Sequence, residues 1–181
     1  MTTVPTSTTG AAASPHASAV TPTGCCPPFD PTTFDEKEIT WDGRPFVKEH
    51  VHSIFHVPLD MGRKMTKAMR LIDAAHAAPA QGLMLSDELS PWRSDLYIDV
   101  TGPVPGAEMV RLSGTFLTRV YEGPYRDAKK WCDDMTSHVA SMGRPMKKLY
   151  LAYTTCPACA KAYGKNYVVA FAEVAPLPEA H

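Results

Sequence analysis

Apolar and polar positions alternate strictly between Leu112 and Glu122. Leu112, Gly114, Phe116, Thr118 and Val120 fall on one side and Ser113, Thr115, Leu117, Arg119 and Tyr121 on the other. That period of two, in a run rich in β-branched and aromatic residues, predicts a strand. Gly123-Pro124 stops it, because proline has no N–H to give to a ladder. The period then changes: Ala128, Trp131, Cys132, Met135, Val139 and Met142 step by three and four, which predicts a helix over about 126–142, ended by Gly143 with Pro145 beyond. Extended runs over 148–155 and 167–174 follow, separated by a loop over 156–166.

The preceding stretch has the same order. In FVKEHVHSIFHV, over 46–57, Val47, Val51 and Phe55 share one side, and Lys48, His50, His52, Ile54 and His56 the other. Asp60 is placed to cap a helix whose apolar positions are Met61, Met65, Ala68, Met69, Ile72 and Ala75, ended by Pro79 and Gly82. Short extended runs over 83–88 and 95–101 come next. One constant offset sets Pro58 opposite Pro124, Met69 opposite Met135 and Leu85 opposite Leu151. The expected fold class is therefore α+β: two strand-helix-strand-strand halves, about 46–102 and 111–174, related by a pseudo-twofold axis. They would share one antiparallel sheet with two main helices on one face.

Residues 1–24 are mostly Thr, Ser, Ala, Pro and Val, with one His16 and no Asp, Glu, Lys or Arg, and predict a disordered tail. Residues 25–45 read as an extended entry segment rich in Pro and Cys, with a turn at Thr40-Trp41-Asp42-Gly43-Arg44-Pro45, and the domain proper as 46–175. In 181 residues, 18 Lys and Arg stand against 19 Asp and Glu, with no basic run beyond two residues, so nothing marks a nucleic-acid surface. No apolar run reaches the roughly 18–20 residues that span a bilayer, and the expected setting is the cytoplasm.

GTFLTRVYEGPY followed by an amphipathic helix, then a strand pair ending in YVVAFAEV, resembles the gyrase-inhibitor-like (GyrI-like) small-molecule-binding family. No helix-turn-helix precedes the match, which covers about 46–174, so the resemblance is to a stand-alone member. It implies a groove where two halves meet, with aromatic walls and a buried acid. It also implies one of two activities: holding or sensing a hydrophobic or aromatic compound, or hydrolysing a strained cyclopropanoid. No cofactor is required for either, and a homodimer is compatible with both. The first half departs from the family pattern, with Val57-Pro58-Leu59-Asp60 in place of Gly-Pro-Tyr.

By position in the family motif, the acid is Glu173, with Tyr125 and Tyr153 as aromatic partners. Trp92, Tyr97 and Tyr121 are added from their places in the chain as ligand-binding candidates. A carboxylate between apolar strand residues loses water, which suits a general base or a site for a cation, although a strand-end carboxylate can equally be solvated. In the catalytic reading Glu173 assists attack by water, helped by Tyr153 or His50. Trp92 is either a lid or loop packing, and Tyr125 either meets ligand or caps a turn. His50 and His52 have the spacing of two metal ligands, about 6–7 Å along a strand, but no carboxylate with fixed spacing accompanies them. Among the cysteines, Cys156-Pro157-Ala158-Cys159 at a hairpin tip and Cys25-Cys26 in the entry segment leave two readings open. One is a structural zinc that staples the segment and makes an adaptor; the other is reduced thiols or a labile disulfide. Cys132 is assigned to the core. A thioredoxin-like site is not expected, since this C-x-x-C is read as opening no helix.

Overall fold

The computed structural model describes residues 23, 26–54, 57–90 and 92–175. The expectation for 1–24, apart from Thr23, thus lies outside the described residues, as do Cys25 and His56. The elements in chain order are β1 (Lys37–Ile54), β2 (Val57–Pro58), α1 (Met61–Ala74), β3 (Met84–Ser90), β4 (Arg93–Asp99), β5 (Glu108–Glu122), α2 (Ala128–Ser141), β6 (Met146–Tyr153), α3 (Pro157–Tyr163) and β7 (Tyr167–Val174). The class is α+β, as expected. Six long strands form one antiparallel sheet in the order β1-β4-β3-β6-β7-β5, and β5 pairs back onto β1. The sheet therefore closes on itself, with the two-residue β2 added at the end of β1. Each group of three strands has its last strand in the middle, β1-β4-β3 and β5-β7-β6.

Closure rests on a strand longer than its pattern announces. The turn expected over 40–45 is instead a bulge inside β1, where the register against β5 shifts between Trp41 and Arg44. Gly43 supplies a left-handed φ of 67° there. Side chains of β5 satisfy the freed backbone groups: Gly43 N donates to Ser113 Oγ at 2.8 Å, and Arg111 Nη1 donates to Gly43 O at 2.8 Å. Pro45, the last residue of the expected turn, sits beside this irregularity, where a proline is tolerated.

Alternation then sorts the side chains onto two faces. Outside, α1 sets Ala68 and Ile72 against Val47, Ile98 and Val100, and α2 sets Trp131, Met135 and Val139 against Leu117, Leu151 and Val168. Inside, Trp41, Phe46, Tyr97, Phe116, Tyr150 and Phe171 pack together, and Phe34 of the entry segment meets Phe171 edge-on at 5.6 Å. Trp131 and the apolar face of α2 are thus core, as read, while Met69 and Met142 are exposed. Asp60 stands at the α1 N-cap position without a cap hydrogen bond; its carboxylate accepts instead from His52 N. Among the described residues no helix is long and apolar enough to cross a membrane.

The region expected as a loop after β6 contains α3, begun by Pro157 at its first turn and ended by Gly164 at φ 68°. Cys156 is its N-cap residue, so the C-x-x-C does open a helix; but β6 and β7 on either side are antiparallel, and no βαβ unit is formed.

Gly123 gives the β5-to-α2 turn a test. Its φ is +153°, and an added Cβ would lie 3.3 Å from Trp131 Cζ2. Gly123→Ala should destabilise the fold by about 1–3 kcal/mol through strain and crowding at a buried tryptophan. Denaturant unfolding would read this as a lower midpoint at unchanged slope, whereas an unchanged midpoint would contradict it.

Candidate functional site

Alternation brings aromatic and charged positions of six strands to the inner face. Register pairs Lys48 with Tyr97, His50 with Asp95, Tyr150 with Phe171, Lys148 with Glu173, and Phe116 with Glu173. Tyr97 and Tyr150 are both buried and meet at right angles, their ring centroids 5.6 Å apart. The Lys148 ammonium lies 5.0 Å from the Tyr150 ring centre and 5.8 Å from that of Tyr97, and Lys48 approaches Tyr97 at 5.7 Å. Deeper in, Trp41 lies 4.3 Å from Phe116 between ring centres and 5.5 Å from Phe171.

Charges at this end are paired. Asp95, whose side chain is 4% exposed, holds Lys48 at 2.8 Å and His50 Nδ1 at 2.6 Å, and Asp87 holds Lys148 at 2.6 Å. Asp87 Oδ2 makes this contact as an ion pair with the Lys148 ammonium. Burial alone would raise the pKa of Asp95, but the Lys48 ammonium and His50 outweigh it and hold the carboxyl below the usual 3.8. The Asp95 hydrogen bond correspondingly raises Lys48. For Lys148, burial works to lower the pKa and is overcome by Asp87 and Tyr150, so the ammonium stays firmly charged. Burial, with Tyr97 and Glu173 adding to it against Lys148, pushes the Tyr150 phenol up to about 12, so it remains a donor at neutral pH.

Glu173 occupies the opening left by a missing side chain. Gly114, at φ +146°, would bring a Cβ to 3.5 Å from Glu173 Cγ and Oε1, and Trp41 of β1 is its partner across the ladder. The Glu173 side chain is 21% exposed, and the nearest cation is Lys147 at 3.8 Å. An acid so placed has aromatic walls, limited solvent and a neighbouring phenol, which equips it to hold a cation or orient a water.

The sequence candidates separate by face. Glu173 and Tyr97 both neighbour Tyr150 on the inner side, and His50 lies at the edge of that face with Nε2 3.4 Å from Glu108. Tyr153 is displaced by its parity: it belongs to the outer cluster under α2, so it is not placed to assist Glu173. Tyr121 stacks on Trp131 at 5.9 Å and donates to Asp134, again outside. Tyr125 donates to Thr155 O at 2.7 Å and packs 5.8 Å from Tyr153. Trp92 lies 54% exposed at the β3–β4 turn. Of the histidine pair, His50 turns to Asp95 and His52 to Asp60, so each is engaged by a carboxylate. A surface hollow of about 490 Å³ over α1 is lined by Arg63, Lys67 and Arg70 of that one helix and brings no acid or aromatic group together.

Elsewhere, Cys26, Cys156 and Cys159 converge, their sulfurs all within 4.8 Å of one another, and this is the only such group of metal-ligating type among the described residues. Cys25 lies outside the described residues. The hydroxyl of Thr23, with backbone contact from Cys26, draws the Cys159 thiol down to about 6.

Residues 16–174 match the family described as bacterial hydrolase. The chain belongs to the bacterial hydrolase family. The fold is also similar to two solved structures from Listeria innocua. One, an uncharacterized conserved protein, has a TM-score of 0.58 at 10% identity, covering 78% of this chain and 94% of that one. The other, a hydrolase, has a TM-score of 0.54 at 12% identity, covering 78% and 93%. No curated protein matches the sequence. The match of this bacterial hydrolase family member starts well before β1, so it takes in the cysteine-bearing entry segment as well as the sheet.

Tyr150, Lys148, Asp87, Lys48, Asp95 and Trp41 are the inner-face residues that pattern reading passed over. Parity groups Lys148, Tyr150 and Ala152 on one side of β6, and the register with β7 puts that side with Val169, Phe171 and Glu173.

The ion pair at Asp95 predicts a pH dependence. A carboxyl whose folded pKa lies below its unfolded value adds stability above the unfolded value, and that stability is lost as pH falls through the folded one. Asp95→Asn should lower the unfolding free energy by about 2 kcal/mol at pH 7, and the difference from wild type should shrink below pH of about 4. Urea unfolding at the two pH values checks this; an equal difference at both would contradict it.

Proposed function

We propose that this protein is a hydrolase that takes a planar hydrophobic or aromatic compound against the inner face of the sheet and uses Glu173 to direct water onto an electrophilic carbon. The observation that carries the reading is the seat of Glu173 beside Gly114, among Phe116, Tyr150 and Trp41. Membership of the bacterial hydrolase family and the resemblance to stand-alone GyrI-like proteins support the reaction class. The recurring strand order β1-β4-β3 and β5-β7-β6 supports reading the two groups as halves of one duplicated unit.

In this reading the substrate class is a cyclopropanoid or a similarly electrophilic xenobiotic. Glu173 accepts a proton from water as the new C–O bond forms. The strained C–C bond breaks, and its electron pair passes into the conjugated carbonyl, whose oxygen receives a proton. Tyr150 is the donor suited to that oxygen, because burial keeps its phenol protonated. Lys148, held charged by Asp87, adds a positive field beside it. His50 stands further out, at the rim, where it is engaged by Asp95 and Glu108.

The alternative is sequestration or sensing on the same face without turnover, and one assay separates the two. Incubation with a cyclopropane-bearing electrophile, followed by mass spectrometry, should reveal a water adduct. Glu173→Gln should reduce its formation at least about 100-fold while leaving ligand quenching of tryptophan fluorescence and the melting temperature close to wild type. Unchanged turnover in Glu173→Gln would overturn the catalytic assignment; saturable binding with no product in wild type would favour sequestration.

A further inference from the structure

Three cysteines from two distant stretches of the chain meet at one corner of the molecule. Cys26 comes from the entry segment, Cys156 caps α3, and Cys159 lies in its first turn. We propose that Cys26, Cys156 and Cys159 bind a zinc ion that fixes the entry segment to the β6–α3–β7 corner. Tetrahedral zinc, with Zn–S bonds of about 2.3 Å, places its sulfurs roughly 3.8 Å apart, and these three already lie within 4.8 Å of one another. Thiolates are soft ligands that select zinc over the hard divalent cations.

The surroundings suit a metal site better than a disulfide. A disulfide would join two of the sulfurs and leave the third beside it without a role, whereas a metal uses all three. Cys156 N donates to Cys26 Sγ at 3.3 Å, the type of backbone contact that orients a thiolate ligand. Tyr163 donates to the Cys26 carbonyl, and Thr23 Oγ1 lies 3.0 Å from the same phenol oxygen, so the backbone around Cys26 is held from α3. The fourth position falls to water or another exogenous ligand.

What the ion would secure follows from the packing. Phe29 lies 5.8 Å from Tyr167, and Phe34 packs on Phe171 of the inner face. The segment that carries Cys26 therefore covers one end of that face, and a zinc at its root would hold the cover down. This inference is independent of the hydrolase reading, since metal content and catalysis are measured separately.

The test uses the full chain, purified under reducing conditions without added metal. Elemental analysis should find about one zinc per chain, retained in Cys132→Ser and lost in Cys159→Ser. Cobalt substitution of wild type should give thiolate-to-cobalt charge-transfer absorption and the visible bands of a tetrahedral site, which settles the matter even where Cys159→Ser fails to fold. EDTA should lower the melting temperature of wild type. Reduced wild type that takes up no zinc in competition with a chromophoric chelator, or that takes up cobalt with no charge-transfer band, would overturn the site. Full zinc retention by folded Cys159→Ser would overturn its ligand set.

Discussion

The fold depends on β1 pairing along both of its edges, with β4 at one end and β5 at the other. A sheet closed in this way has no long free edge and, more consequentially, has an inside. Alternation then assigns every strand residue to the space enclosed by the sheet or to the surface under the helices. The bulge at Asp42-Gly43 is what allows one strand to serve both neighbours, because an added residue bends and twists the ladder where it occurs. Ser113 and Arg111 make that bulge tolerable by engaging the groups it would leave unsatisfied.

Inside, two demands conflict. Aromatic side chains fill the enclosed space and exclude water, yet Asp87, Asp95, Lys48 and Lys148 are drawn into its end. Charges removed from water are tolerated when paired, and here each carboxylate faces an ammonium while each ammonium also lies against a tyrosine ring. Glu173 stands apart from this pairing, with its nearest cation at 3.8 Å. That difference is the physical reason we propose Glu173, and not the paired groups, as the acting acid.

Much of this was legible in the alternation. The parity of 112–122 and 167–174, the two amphipathic helices and the place of Glu173 with Val169 and Phe171 all follow from periodicity. The face of β6 did not, because both sides of Leu149-Tyr150-Leu151-Ala152-Tyr153 are apolar or aromatic and only the register with β7 tells them apart. The start of β1 was hidden because Asp-Gly and proline are turn residues in isolation, and the groups that keep them in a strand lie some seventy residues away. Helix α3 was readable in principle, with Pro157 at its start and Gly164 at its end, but a helix of seven residues carries too short a period to show.

The proposed function puts the ligand on the enclosed aromatic face and not on the helix-covered one. Side-chain NMR of the full chain during titration with a planar aromatic electrophile analogue tests this most directly. Saturable shifts are expected at Trp41, Tyr97, Tyr150 and Phe171, with Tyr121 and Trp131 unmoved. Shifts confined to Tyr121, Tyr153 and Trp131 would contradict it.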